Sequence, residues 1–144
     1  MYIEIFTSQI WCFIKNKIAL IDSQDAVLGN PAYDLASLID DVRIKTSNSF
    51  KSNILKVFLS KFKYKNESQF INDFEILSVL RNLKIIGIFT RLANRDKKKK
   101  YLKLIPYAWK LIDNRMKNNS NFNDLINFLK ENPKIKKKWK LKQQ

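Results

Sequence analysis

Hydrophobic spacing changes its period once in this chain, at the loop signal Gly29-Asn30-Pro31. Before that point apolar residues come in two short runs, 10–14 and 18–21, on either side of Lys15-Asn16-Lys17. Such runs around a polar turn predict a β-hairpin with Asn16 in the turn. After it, apolar residues recur every three or four positions, the period of a helix with one buried face. Leu35, Leu38, Ile39 and Val42 predict a helix over 33–44. Ile54, Val57, Phe58 and Phe62 predict a second, opening near the capping residues Thr46-Ser47-Asn48-Ser49. Phe70, Phe74, Leu77, Leu80, Ile85, Ile88 and Leu92 predict a long third one. A fourth is expected over 101–116, kinked by Pro106 unless that residue falls in the first turn, and a short fifth over 122–129. Beyond Pro133 a basic tail, 133–144, is expected to fray. The fold class is therefore mainly α with a small β-hairpin, as one domain over 1–132 followed by the tail. At 144 residues, 45% of them apolar, the chain can bury a core.

Composition excludes several chemistries. There is no histidine and a single cysteine, Cys12, so neither an internal disulfide nor a Ser-His or Cys-His nucleophile system can form within the chain as written. The usual zinc sites are excluded for the same reason. No apolar run is long enough to span a bilayer, and the first residues lack the plan of a signal peptide, so a cytoplasmic location without membrane partners is expected. The net charge is +15, which raises nucleic-acid binding as a function class. The excess is 23 Lys against 5 Arg, however, and Arg is the better reader of phosphates and base edges. Lys, Asn, Ile, Phe and Tyr make up 71 of the residues, the signature of AT-rich codons, so solvated lysine faces account for much of the charge. A basic helical nucleic-acid module, binding through 96–100 and through the tail with Trp139 stacked on a base, stands as an alternative. Nucleic acid is not the expected partner.

Against this basic background residues 18–41, IALIDSQDAVLGNPAYDLASLIDD, hold five carboxylates and no Lys or Arg. Asp22 ends an apolar run just before a loop, and Asp25 follows three residues on. Two carboxylates at a strand exit suit a hard cation such as Mg2+, which takes oxygen ligands and keeps several waters. Two acids in a loop also serve as turn or cap residues, and the pattern alone leaves both readings open.

The same stretch resembles the aminoglycoside phosphotransferase-like kinases, in which a strand, an Ile-Asp pair, a loop and G-x-P-x-x-D-L-A follow in that order. It is most similar to the bacterial subgroup that phosphorylates cell-wall amino sugars, as are LRNLKIIGIFTRLANRD and YLKLIPYAW later in the chain. The three motifs keep the family's order and span roughly residues 18–116. Phenylalanine is common in the family where this chain has Ser23. The resemblance implies the C-terminal lobe of a protein-kinase-like fold and an ATP-dependent phosphotransferase acting on a sugar or amino-sugar hydroxyl. It implies that Asp22 binds the Mg2+ that carries the nucleotide phosphates; Asp25 joins it as a metal ligand on the residue pattern alone. It implies that Asp34 braces the catalytic loop, and that Asp40, Asp41 and Arg43, with Arg81 and Arg91 of the third motif, form a substrate rim. Asp40 and Asp41 also read as the solvated face of a helix, and Gly87 of the third motif as a helix-packing position.

A kinase of this type also needs a nucleotide lobe, here a missing partner expected upstream, and a catalytic loop H-x-D-x-x-x-x-N about a dozen residues before the metal aspartate. The window 1–9, MYIEIFTSQ, has no His or Asn, and Glu4 is its only acid. Its codons, read from the third base of the Met1 codon, permit Val-His-Arg-Asp-Phe-His-x-Ser-Asn, which has the required spacing. The expectation is that 1–9 is an out-of-frame remnant of the catalytic loop, that the chain as written carries no catalytic base, and that it is inactive alone. A non-catalytic pseudokinase fragment is the remaining alternative.

Overall fold

The computed structural model describes residues 3–4, 11–15, 17–20, 27–62 and 64–137. The expected metal ligands Asp22 and Asp25, most of the window 1–9 and the end of the tail lie outside the described residues. The chain divides into two compact units, Met1–Leu77 and Ser78–Gln144.

The first unit opens with four short strands, β1 (Ile3–Glu4), β2 (Trp11–Ile14), β3 (Lys17–Leu20) and β4 (Val27–Leu28). They form two separate antiparallel pairs, β1 with β4 and β2 with β3, the second in the register Trp11 to Leu20 and Ile14 to Lys17. Helix α1 (Pro31–Ile39) follows. Its start is built by two adjacent residues. The Asn30 side chain accepts a hydrogen bond from the Ala32 N–H at 3.0 Å, and Pro31 takes the first-turn position where a missing N–H costs nothing. The helix is shorter than the predicted 33–44, beginning two residues earlier and ending five earlier. Its end has a local cause. The Asp41 carboxylate accepts the Arg43 backbone N–H at 2.9 Å, a side-chain turn that competes with further helix.

Ala32, Leu35, Ala36 and Ile39 form the buried face of α1, one residue round from the predicted stripe, and Leu38 is exposed. They pack with Leu59 of α2 (Asn48–Phe62) and with Phe70 and Phe74 of α3 (Glu67–Arg95). Around them Phe58, Tyr64 and Phe70 stack, Tyr64 on Phe70 at 4.3 Å between ring centroids. Burial of these aromatic and aliphatic faces is the main stabilising term of this unit. The cap expected for α2 is made by Ser47, whose Oγ accepts from the Phe50 N–H. Val57 and Phe62, predicted on the buried stripe of α2, are exposed, and Lys51 and Leu59 are buried instead.

The division between the units falls within α3, whose residues 78–95 belong to the second. There it buries Val79, Ile86, Phe89 and Ala93, while Leu80 is exposed. A 3-10 segment, Lys99–Leu104, precedes α4 (Ile105–Met116). The single helix expected over 101–116 is thus split, and Pro106 stands in the first turn of α4, where it bends nothing. Helix α4 buries Ile105, Ala108, Trp109, Leu111, Ile112 and Met116. Helix α5 (Asn123–Glu131) and a single turn, α6 (Lys134–Lys137), complete the unit. That turn is held: Lys136 pairs with Asp113 and its ammonium lies over the Trp109 ring, 5.3 Å from the centroid. The start of the basic tail is ordered helix, contrary to the expectation of fraying from Pro133. Among the described residues no helix is long and apolar enough to cross a membrane.

Candidate functional site

The described part of the acidic segment lies along α1 and just beyond it. Asp34 sits in the first turn, half-buried, where a carboxylate meets the positive helix end. The cap itself is made by Asn30, not by Asp34. Asn30 is bound in two directions. Its Oδ1 caps α1, and its Nδ2 donates to Asp73 Oδ2 of α3 at 2.8 Å, tying the start of one helix to the first turns of another.

Asp40 and Asp41 stand at the other end of α1. They were expected on an open substrate rim or on a solvated helix face, and they are on neither surface: their relative exposures are 1% and 2%. Each is neutralised. Lys51 Nζ of α2 donates to Asp40 Oδ1 at 2.9 Å, and that lysine is itself only 8% exposed. The Arg43 guanidinium binds Asp41 through Nε at 2.9 Å and Nη2 at 2.7 Å. Two buried carboxylates without such partners would be prohibitively costly to desolvate, so the pairs are a condition of this packing. Sequence reading brought Asp41 and Arg43 together and missed Lys51. A signal for it exists: Lys51 stands four residues before Leu55 and eight before Leu59, in register with the side of α2 that meets the core.

Arg81 and Arg91 belong to the second unit. Arg81 is buried, next to Asn82, whose amide donates to the Ser78 carbonyl at 2.9 Å, and Arg91 is exposed. Gly87 was read as a packing position. Among the described residues beyond its own stretch of helix, no atom lies within 4 Å of where its Cβ would stand, so packing against them does not account for it. At the end of α3, Arg95 Nε donates to Asp96 Oδ1 at 2.6 Å at the protein surface. The Arg95 hydrogen bond holds the Asp96 carboxyl below the usual carboxylate range, and the same bond raises Arg95. Among the described residues no three metal-ligating side chains gather at one point.

Comparison with known proteins concerns about two thirds of the chain. It is 34% identical over 97 residues to an N-acetylmuramate/N-acetylglucosamine kinase of Caulobacter vibrioides, which is 67% of this chain and 27% of that protein. It is 34% identical over 98 residues to a kinase of the same name from Neisseria meningitidis, 64% of this chain and 29% of that protein. A third, from Pseudomonas aeruginosa, is 27% identical over 100 residues, 65% of this chain and 30% of that protein. These similarities support a sugar-kinase family. No family model matches the chain. The aligned stretch spans between 27% and 30% of the length of these three relatives.

Proposed function

We propose that the chain is the C-terminal-lobe portion of an ATP-dependent phosphotransferase that acts on an amino-sugar hydroxyl in the cytoplasm. The observation that carries this reading is the similarity to three amino-sugar kinases, together with the family-like order of Asp22, Gly29, Pro31 and Asp34 in residues 18–41. In this reading Asp22, with Asp25 beside it, holds Mg2+; the donor set, two carboxylates, is the one a hard cation prefers. The metal, when bound, neutralises the nucleotide phosphates. Asp34, in the first turn of α1, braces the catalytic loop. The buried pairs Asp40–Lys51 and Asp41–Arg43 fix the segment that follows α1, a role that replaces the open rim for these three rim residues. Arg91, exposed on α3, is the substrate-facing cation, and Arg81, buried ten residues earlier in the chain's third motif, is held inside the unit.

In the same reading residues 1–9 are an out-of-frame remnant of the catalytic loop, and this polypeptide alone transfers no phosphoryl group. Its nucleotide sequence tests the point. Tyr2 is expected to be TAC, which gives histidine in the shifted frame, Glu4 to be GAG, giving aspartate, and Gln9 to be CAA, giving asparagine. The shifted frame is expected to stay open upstream and to encode a nucleotide-binding lobe. TAT at Tyr2, GAA at Glu4 or an early stop in that frame contradicts the remnant.

A further inference from the structure

We propose that a groove between α4, α5 and α6, in the second unit, binds a single-chain amphiphile with an anionic head, a medium-chain fatty carboxylate. The groove shares no residue with the acidic segment, so it stands apart from the kinase reading. Its volume is about 490 Å3, within the range of small-molecule sites. Two helices build it with the same spacing. Asp113, Met116 and Lys117 stand at i, i+3 and i+4 along α4, where Lys117 is the C-cap residue and keeps helical backbone angles. Ile126, Leu129 and Lys130 repeat that spacing on α5. Residues so spaced share one face of a helix. Each helix therefore turns apolar side chains into the groove and ends in a lysine. Met116 and Leu129 are buried and Ile126 is half-buried, which gives the groove an apolar floor. The turn α6 supplies the remaining wall through Lys136.

The charge at the rim selects the head group. Three lysines line the groove against one carboxylate, Asp113. That carboxylate is paired with Lys136, so its charge is met before a ligand arrives. Lys117 and Lys130 are exposed, one at each helix end. A helix C-terminus carries about half a negative charge and a lysine a whole positive one, so the rim stays positive when both helix ends are counted. An apolar floor alone selects no charge, and a lysine rim alone has no use for an alkyl chain. The two together fit a molecule with both parts. Its chain lies over Met116, Ile126 and Leu129, where the flexible thioether of Met116 adapts to its shape. Its carboxylate meets the ammonium groups of Lys117 and Lys130, whose long stems pack along the chain. The protein's own residues 138–144 are a poor occupant, since they carry three lysines and no acid.

The chain has two methionines, so 13C-methyl labelling of methionine in the full chain places one probe in the floor, Met116, and leaves Met1 as reference. The test is a titration with hexanoate, octanoate and decanoate, with acetate and decyltrimethylammonium as controls. A saturable shift of the Met116 methyl is expected, with Kd on the order of 1 mM for octanoate. Affinity is expected to rise roughly two- to fourfold per added methylene, the range for partial to full burial of each. Decyltrimethylammonium, with the same chain and the opposite charge, is expected to bind at least roughly tenfold more weakly than decanoate. The double variant Lys117→Gln with Lys130→Gln, at two exposed positions, is expected to weaken decanoate by roughly tenfold and to remove its advantage over the cation. A Met116 shift that does not saturate, that acetate or decyltrimethylammonium reproduces, that ignores chain length, or that the double variant leaves unchanged would overturn the proposal. So would binding to phosphatidylglycerol vesicles without any effect of free decanoate, which would make this surface a bilayer contact.

Discussion

Asp40–Lys51 in the first unit and Arg95–Asp96 in the second are ion pairs of similar length, 2.9 and 2.6 Å, in opposite surroundings. The first is enclosed, with side-chain exposures of 1% for Asp40 and 9% for Lys51; the second is at the surface, with 66% for Arg95 and 24% for Asp96. A buried pair is held by necessity, because either charge alone in that place faces a desolvation cost of several kcal/mol. An exposed pair gains little, because water screens it and two side chains lose rotamer freedom. The contrast explains why a chain of net charge +15 keeps acids near α1. Two of them, Asp40 and Asp41, are the interior counterparts of Lys51 and Arg43, and their value lies in the pairing rather than in a surface field.

Removing one partner breaks this comparison most sharply. Lys51→Met leaves Asp40 buried without its lysine and is expected to cost about 3–5 kcal/mol in urea unfolding. The double change Lys51→Met with Asp40→Leu is expected to recover most of that loss, since it removes both charges together. A single-variant loss below about 1 kcal/mol would show that water reaches the pair.

The next largest effect separates the cap from the charge at the start of α1. Asn30→Ala is expected to cost about 0.5–2 kcal/mol, because it strips the bond to the Ala32 N–H. Asp34→Ala removes a first-turn carboxylate and is expected to cost at least about 0.3–1 kcal/mol, the size of its interaction with the helix dipole. Thermal melts of the two variants rank them, and an unchanged melting temperature for Asn30→Ala would mean that its bond to the Ala32 N–H does not hold the helix start.

Gly87→Ala is expected to act in the opposite direction. With open space at the Cβ, alanine restricts the unfolded chain and favours helix by about 0.5–1 kcal/mol. A lower melting temperature would mean that a side chain at 87 meets something there.

The smallest effect belongs to the exposed pair. Arg95→Ala is expected to leave the melting temperature unchanged within error while returning the Asp96 carboxyl to the ordinary aspartate range in an NMR titration. The sign is that of a depressed acid: the pair's contribution is present above the unfolded aspartate pKa and is lost as pH falls through the folded one. High salt is expected to shrink the depression, and an Asp96 midpoint insensitive to both changes would mean that Arg95 is not its cause.

What could be read in the sequence divides along the same line as burial and local bonding. Helix existence was legible in the three-and-four spacing, because Phe70, Phe74, Ile105 and Ala108 report a face that must leave water. Helix ends were less so. The stop after Ile39 depends on the Asp41 side chain bonding two residues ahead, and the break before Ile105 on the first-turn preference of Pro106. Both are local geometries that hydrophobic period does not encode. For the candidate site, the acidic segment and its motif were visible, yet Asp40 and Asp41 were placed in solvent. Their burial depends on Lys51 and Arg43, and a charge paired in three dimensions reads as a surface charge in one. Asp73, bound by Asn30 across 43 positions, carries no pattern in the sequence at all.

The central claim is phosphoryl transfer dependent on Asp22. It is tested most directly by radiolabelled transfer from ATP to N-acetylglucosamine or N-acetylmuramate, with Mg2+, by the protein translated with the upstream shifted frame joined to residues 10–144, with Asp22 intact or changed by Asp22→Asn. Transfer with the aspartate, and background counts with Asp22→Asn while circular dichroism is unchanged, is the predicted result, because an amide does not replace a charged ligand of a hard cation. Near-normal turnover with Asp22→Asn, or no transfer to either sugar with the frame restored, would contradict it.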